Sequence, residues 1–340
     1  MHTRTSEAEL LRIRAVLIHS AQLLSIESIA LTIFTPLTVA TLMTKVGPIL
    51  LRLQRLILGF DQAIFGYASA EGKLVTEFSD FRISPSELAA GSIVATGILA
   101  NPSVWVRAKG SSQMVIAPDS LVQLTSRMRL LSEANQPVVR IEKYADGSTS
   151  RFVVYVPGTQ AITAGTANPL DMRSNLQLLA GQQSASSRAV DMAIRKAGAK
   201  AGDRVMLVGH SQGGLIAVDL AKRSKAGLLD YRVDNVVTFG SPVGSNSADA
   251  LPEVLSVENK VDFVPQFDLI GNPKGENWLT LERNVFGDPI SAHQMEAYGS
   301  IVSDIERSGE FANNSVWQGV EKFATTKGEV SFFELGQRRS

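Results

Sequence analysis

At 340 residues the chain is longer than one average domain, and its 33 basic and 33 acidic residues cancel, which gives no reason to expect a nucleic-acid partner. Without a cysteine it can hold no disulfide, thiol nucleophile or cysteine metal site, though this leaves its compartment open. No His-Glu-x-x-His, P-loop or dinucleotide fingerprint occurs, so neither a metal nor a cofactor is expected.

Residues 1 to about 130 read as helical, without strand alternation. Met1 to Arg14 is charged throughout and lacks an apolar core with a cleavage site, so it is not an ordinary signal peptide. Two uncharged runs follow, Ser28 to Thr44 and Leu88 to Val106, the first near the lower length limit for crossing a bilayer. A buried helical hairpin is the first reading of these runs. Membrane association through 28–44 and 88–106 is the alternative, so the localisation stays open between a membrane-associated or exported protein and a cytoplasmic one. Between them Leu51, Leu53, Leu56, Ile57, Phe60 and Ile64 recur at helical spacing. A further helix is predicted from Ala117-Pro118-Asp119-Ser120, with Leu121, Leu124, Met128 and Leu131 on one face.

Asn135-Gln136-Pro137 reads as a break, which divides the chain into a helical region over 1–135 and an α/β domain over 136–340. Val138 to Tyr144 and Ser150 to Val156 are β-rich runs joined by Ala145-Asp146-Gly147-Ser148, a hairpin signal. From there strands alternate with helices, as in a mostly parallel sheet covered on both faces. The second strand ends in Pro157-Gly158-Thr159, where the Thr159 N–H is free to face a ligand; an ordinary Pro-Gly turn is the plainer reading. Ala161 to Gly181 suits a flap, and Ser184 to Ala197 a helix burying Ala189, Met192, Ala193 and Ile194.

Val205-Met206-Leu207-Val208 then runs into Gly209-His210-Ser211-Gln212-Gly213 and on into a helix with Leu215, Val218 and Ala221 on one side. A Gly-x-Ser-x-Gly between a strand and a helix is a nucleophile elbow. The sharp turn strains the serine, requires very small residues at Gly209 and Gly213, and leaves the Gln212 N–H free to hold an oxyanion. Asn235 to Phe239 is the next core strand, closed by Gly240-Ser241-Pro242, a loop placed to line an acyl pocket. Val254 to Val257 follows and delivers Asp262. A serine nucleophile needs a base and a carboxylate that fixes the base's tautomer. Of the four histidines only His293 lies downstream of Ser211, and His210 is tied into the elbow, so His293 is the base by elimination. Asp262 is the first choice for the acid because it follows a strand end, with Asp268 and then Asp288 behind it. Glu329 to Leu335 reads as a strand closing the sheet beside Val138 to Tyr144.

From about Arg151 to Tyr298 the chain resembles the α/β-hydrolase superfamily, and within it the lipase and esterase branch carrying Gly-His-Ser-Gln-Gly-Gly. Thr238-Phe239-Gly240-Ser241-Pro242 and the Asn-x-x-Asp-x-Val-Pro of Asn259 to Pro265 are similar to segments of class 3 lipases. The resemblance implies a triad of Ser211, Asp262 and His293, an oxyanion hole from Thr159 and Gln212, and a small ester or lipid as substrate. The same triad serves acyl transfer and thioester hydrolysis. A catalytically silent binding or membrane-associated protein on this fold is the reading from another class.

Overall fold

The computed structural model describes residues 102–161, 166–179, 181–262, 264–265, 271–285, 289–323 and 326–338. All of them belong to one compact unit. The apolar run over 28–44, the amphipathic stretch over 51–64 and most of the run over 88–106 lie outside the described residues, as do Asp268 and Asp288.

The protein is of the α/β class. Eight strands form one sheet in the order β1-β8-β2-β3-β4-β5-β6-β7. They are β1 (Val104–Ile116), β2 (Val138–Asp146), β3 (Thr149–Val156), β4 (Arg204–His210), β5 (Arg232–Phe239), β6 (Glu253–Asn259), β7 (Trp278–Arg283) and β8 (Lys327–Gln337). Neighbours are parallel from β3 to β7 and antiparallel from β1 to β3. The helices are α1 (Leu121–Glu133), α2 (Met172–Leu179), α3 (Ala185–Lys196), α4 (Gln212–Lys225), α5 (Pro289–Ala292), α6 (Met295–Ser308) and α7 (Ser315–Glu321). Among the described residues no helix is long and apolar enough to cross a membrane.

Phe152 to Val156 of β3 and Val205 to Val208 of β4 are apolar without interruption because helices cover both faces of these strands. Phe152, Val154 and Val156 of β3, with Val205 and Leu207 of β4, face α3 and α4 in one core. Val153, Tyr155, Met206 and Val208 alternate to the other side, against α1, α6 and α7. Each such side chain is fully buried and contributes roughly 1.5–3 kcal/mol relative to exposure. The β2–β3 hairpin turns at Gly147, whose φ of 63° is the left-handed conformation expected at Asp-Gly. Helix α1 is capped by Ser120 and buries Leu121, Leu124, Met128 and Leu131, as the sequence predicts.

Three expectations are corrected. The helical reading of residues 1 to about 130 fails at Val104–Ile116, which is the edge strand β1 paired with β8. It does not alternate because both of its faces are largely exposed and its register shifts between Lys109 and Gln113, around Gly110 with its φ of 73°. Val104-Trp105-Val106, the end of the second uncharged run, therefore opens a strand. Secondly, β8 pairs with Val138–Tyr144 as anticipated, but β1 lies beyond it, so β8 is not the edge. Thirdly, α3 buries Val190 with Ala189, Ala193 and Ile194, while Met192 is 40% exposed. Strand β7 is not among the expected strands; it pairs with β6 at the far edge.

Candidate functional site

Gly158-Thr159, Ser211, Gly240 and Asp262 follow the carboxyl ends of β3, β4, β5 and β6, four adjacent parallel strands. Open α/β sheets put their ligand sites at that end, in the crevice that the strands leave.

Ser211 occupies the single residue between β4 and α4, with φ 54° and ψ −119°. Among the described residues only it and Asn135 are non-glycine with positive φ, so the strain is specific to the turn. The flanking glycines are a steric necessity. A Cβ on Gly209 would run into the Gly213 carbonyl, one on Gly213 into the carbonyl of Val156, and one on Gly214 into the Ser241 side chain. The turn is fastened to the next strand by Ser211 N–H, which donates to the Phe239 carbonyl at 2.9 Å.

Gln212 follows this serine directly, and Thr159 follows Gly158, which packs against it. Gln212 is the first residue of α4, so its N–H has no intrahelical acceptor. Its side chain is buried and donates through Nε2 to the Asp171 carbonyl at 2.8 Å. The Thr159 hydroxyl accepts from Asn175 Nδ2 at 2.8 Å, while Gly158 lies so close that a Cβ there would be 3.0 Å from Ser211 Cβ. Among the described residues neither the Gln212 nor the Thr159 N–H makes a hydrogen bond. The expected flap over 161–181 contains α2, which supplies Asn175.

Asp262 and His293, far apart in the chain, meet directly: His293 Nδ1 and Asp262 Oδ2 are 2.6 Å apart. The carboxylate is fully buried and its other oxygen accepts the Val264 N–H at 2.9 Å. The Tyr298 hydroxyl also donates to Oδ2. Burial and the adjacent Asp262 charge push the Tyr298 pKa well above the ordinary tyrosine value, so it remains a donor. Gly240, at φ 57°, lets this pair approach the end of β5, since a Cβ there would collide with Tyr298 and stand 2.9 Å from Asp262 Oδ2.

His293 lies in the turn between α5 and α6, and two side chains fix that turn. Asn259 Nδ2 donates to the Ala292 carbonyl at 3.1 Å, and His210 Nε2 lies 2.9 Å from the His293 carbonyl oxygen. The His210 and His293 ring centroids are 4.8 Å apart. Burial drives the His210 pKa down to about 3, with His293 nearby adding to the effect. Among the described residues no hydrogen bond joins the Ser211 hydroxyl to the His293 ring, and such contacts are often loose until a ligand is bound. With Nδ1 committed to Asp262, Nε2 is the nitrogen able to take a proton.

Sequence reasoning missed Tyr298 and the anchoring role of Asn259. The first carries no signal beyond being a tyrosine in the first turn of the helix that follows His293; the second is visible only as the leading residue of the Asn-x-x-Asp pattern. Fold and site together define an α/β protein in which a strained, glycine-flanked serine after β4 and a buried carboxylate after β6, paired with a histidine, stand at the same end of the sheet. Neither a family model nor a curated protein matches the chain.

Proposed function

We propose that the protein is a serine hydrolase of carboxylic esters, an α/β-hydrolase of the lipase and esterase branch. The observation that carries this reading is the 2.6 Å contact between His293 and the buried Asp262, which follows β6 at the same end of the sheet as the strained Ser211 turn after β4. A buried carboxylate on Nδ1 fixes the tautomer whose Nε2 is basic, and stabilises the imidazolium once a proton arrives.

In the reaction, His293 Nε2 removes the proton of Ser211 Oγ as that oxygen attacks the ester carbonyl carbon. The carbonyl oxygen becomes an oxyanion held by the N–H groups of Gln212 and Thr159. Collapse of the tetrahedral intermediate expels the alcohol, which takes the proton from His293, and leaves an acyl group on Ser211. Water, deprotonated by the same nitrogen, then attacks the acyl carbon, and the bond to Ser211 Oγ breaks as that oxygen takes the proton back from His293, which releases the carboxylic acid and free serine. Fixed donors that need not reorient are typically worth two to three orders of magnitude each, about 3–4 kcal/mol.

The test is hydrolysis of a short-chain p-nitrophenyl ester by the full chain and by Ser211→Ala. The variant is expected to lose about three or more orders of magnitude in kcat while remaining folded. Undiminished turnover in that variant removes the proposal.

A further inference from the structure

The proposed reaction makes no use of the His210 side chain, which is nevertheless almost wholly buried at the centre of the site. Three segments must converge for that reaction, and they come from distant parts of the chain: the turn after β3, the serine turn and the turn carrying His293. The His210 ring stands where all three come together. It belongs to the serine turn, and its Nδ1 lies 3.4 Å from where a Cβ on Gly158 would stand. Its Nε2 lies 2.9 Å from the His293 carbonyl oxygen. Tyr298, the donor to Asp262, presents an edge to the same ring at 6.1 Å between centroids.

We propose that His210 is a positioning residue: it donates its Nε2–H to the main chain of His293 and so holds the base-bearing turn in register with Ser211. The inference rests on the ester-hydrolase reading of the same site. A carbonyl oxygen can only accept, so this contact requires the proton on Nε2 and fixes the His210 tautomer. The tie acts on the backbone of the very residue whose ring must reach the serine. Displacements of about 1 Å in such geometry can cost about 100-fold in rate. If the ring were only filling space, an apolar side chain of similar volume would replace it without loss.

The test uses the full chain and three substitutions. His210→Leu keeps apolar volume without the donor, His210→Asn carries an amide too short to reach the carbonyl, and His210→Gln places an amide N–H at about the reach of Nε2. Turnover of p-nitrophenyl butyrate and amide hydrogen exchange over 291–298 are measured on each. His210→Leu and His210→Asn are expected to lose roughly 10- to 100-fold in kcat, with KM changed by no more than about threefold. Exchange over 291–298 should accelerate in both, and His210→Gln should recover most of each effect. Wild-type kcat and exchange in His210→Leu overturn the proposal. So does a folded His210→Gln that is as impaired as His210→Asn, because the donor alone would then not suffice. Should His210→Leu fail to fold, the comparison of Gln with Asn decides by itself. If the wild type neither turns over the ester nor reacts with a fluorophosphonate, the hydrolase reading falls and takes the catalytic role of His210 with it; the exchange data then report separately on the tie.

Discussion

Tyr298 and His293 donate to the same oxygen of Asp262, one from the first turns of α6 and the other from the turn just before that helix. With the Val264 N–H on the second oxygen, the fully buried carboxylate has a donor at each oxygen. Such satisfaction is what makes an ionised group tolerable away from water.

Removing one of these donors should therefore be costly. Tyr298→Phe keeps the ring packing on Phe239, at 6.2 Å between centroids, and deletes only the hydroxyl. The expected loss is about 1.5–3 kcal/mol in urea unfolding, the usual worth of a hydrogen bond to a charged group. Esterase activity should fall through kcat, because His293 is then oriented by a less firmly held carboxylate. Unchanged stability would mean that the hydroxyl contributes nothing at this carboxylate.

A methyl group added at Gly213 meets the Val156 carbonyl of the adjoining strand, and backbone cannot yield as a side chain tip can. Gly213→Ala is expected to destabilise the fold by about 1–3 kcal/mol or more, by overpacking. Gly227→Ala is the control for a glycine without steric neighbours: its added methyl meets nothing within 4 Å, so its cost should come only from its φ of 71°. Equal thermal shifts in the two variants would contradict the steric account of the serine turn.

Protonation of His210 links stability to pH. Its pKa in the folded protein is depressed to about 3, below the ordinary histidine value of 6.5, so the unfolded chain binds the extra proton first as the pH falls. The contribution is complete above pH 6.5 and is lost on acidification toward pH 3, with a slope approaching about 1.4 kcal/mol per pH unit for this one group. His210→Gln should flatten the dependence of unfolding free energy on pH by about one proton between those limits. A variant whose pH dependence matches the wild type would show that His210 titrates normally.

Much of this site is legible in the residues themselves. The four-residue apolar run before Gly209 and the glycine spacing dictate the turn at Ser211, because only very small side chains fit where two strands and a helix converge. The scarcity of histidine isolates His293, and strand-end placement selects Asp262. Less of the periphery can be read. Val104–Ile116 passes for a continuation of helix because an edge strand exposed on both faces has no period of two to display. Met192 misleads since hydrophobicity alone does not say which side of α3 a neighbouring strand will cover. Tyr298, Asn259 and the His210 contact to the His293 carbonyl are products of tertiary convergence, and local pattern has no way to signal them.

The central claim is that Ser211 is an activated nucleophile served by His293. Its most direct measurement is reaction of the full chain with a fluorophosphonate, followed by mass spectrometry of the peptide containing Ser211. The account predicts one adduct, located on Ser211, that is absent in Ser211→Ala and forms far more slowly in His293→Ala. A folded wild type that remains unlabelled, or that carries its adduct on another residue, would contradict it.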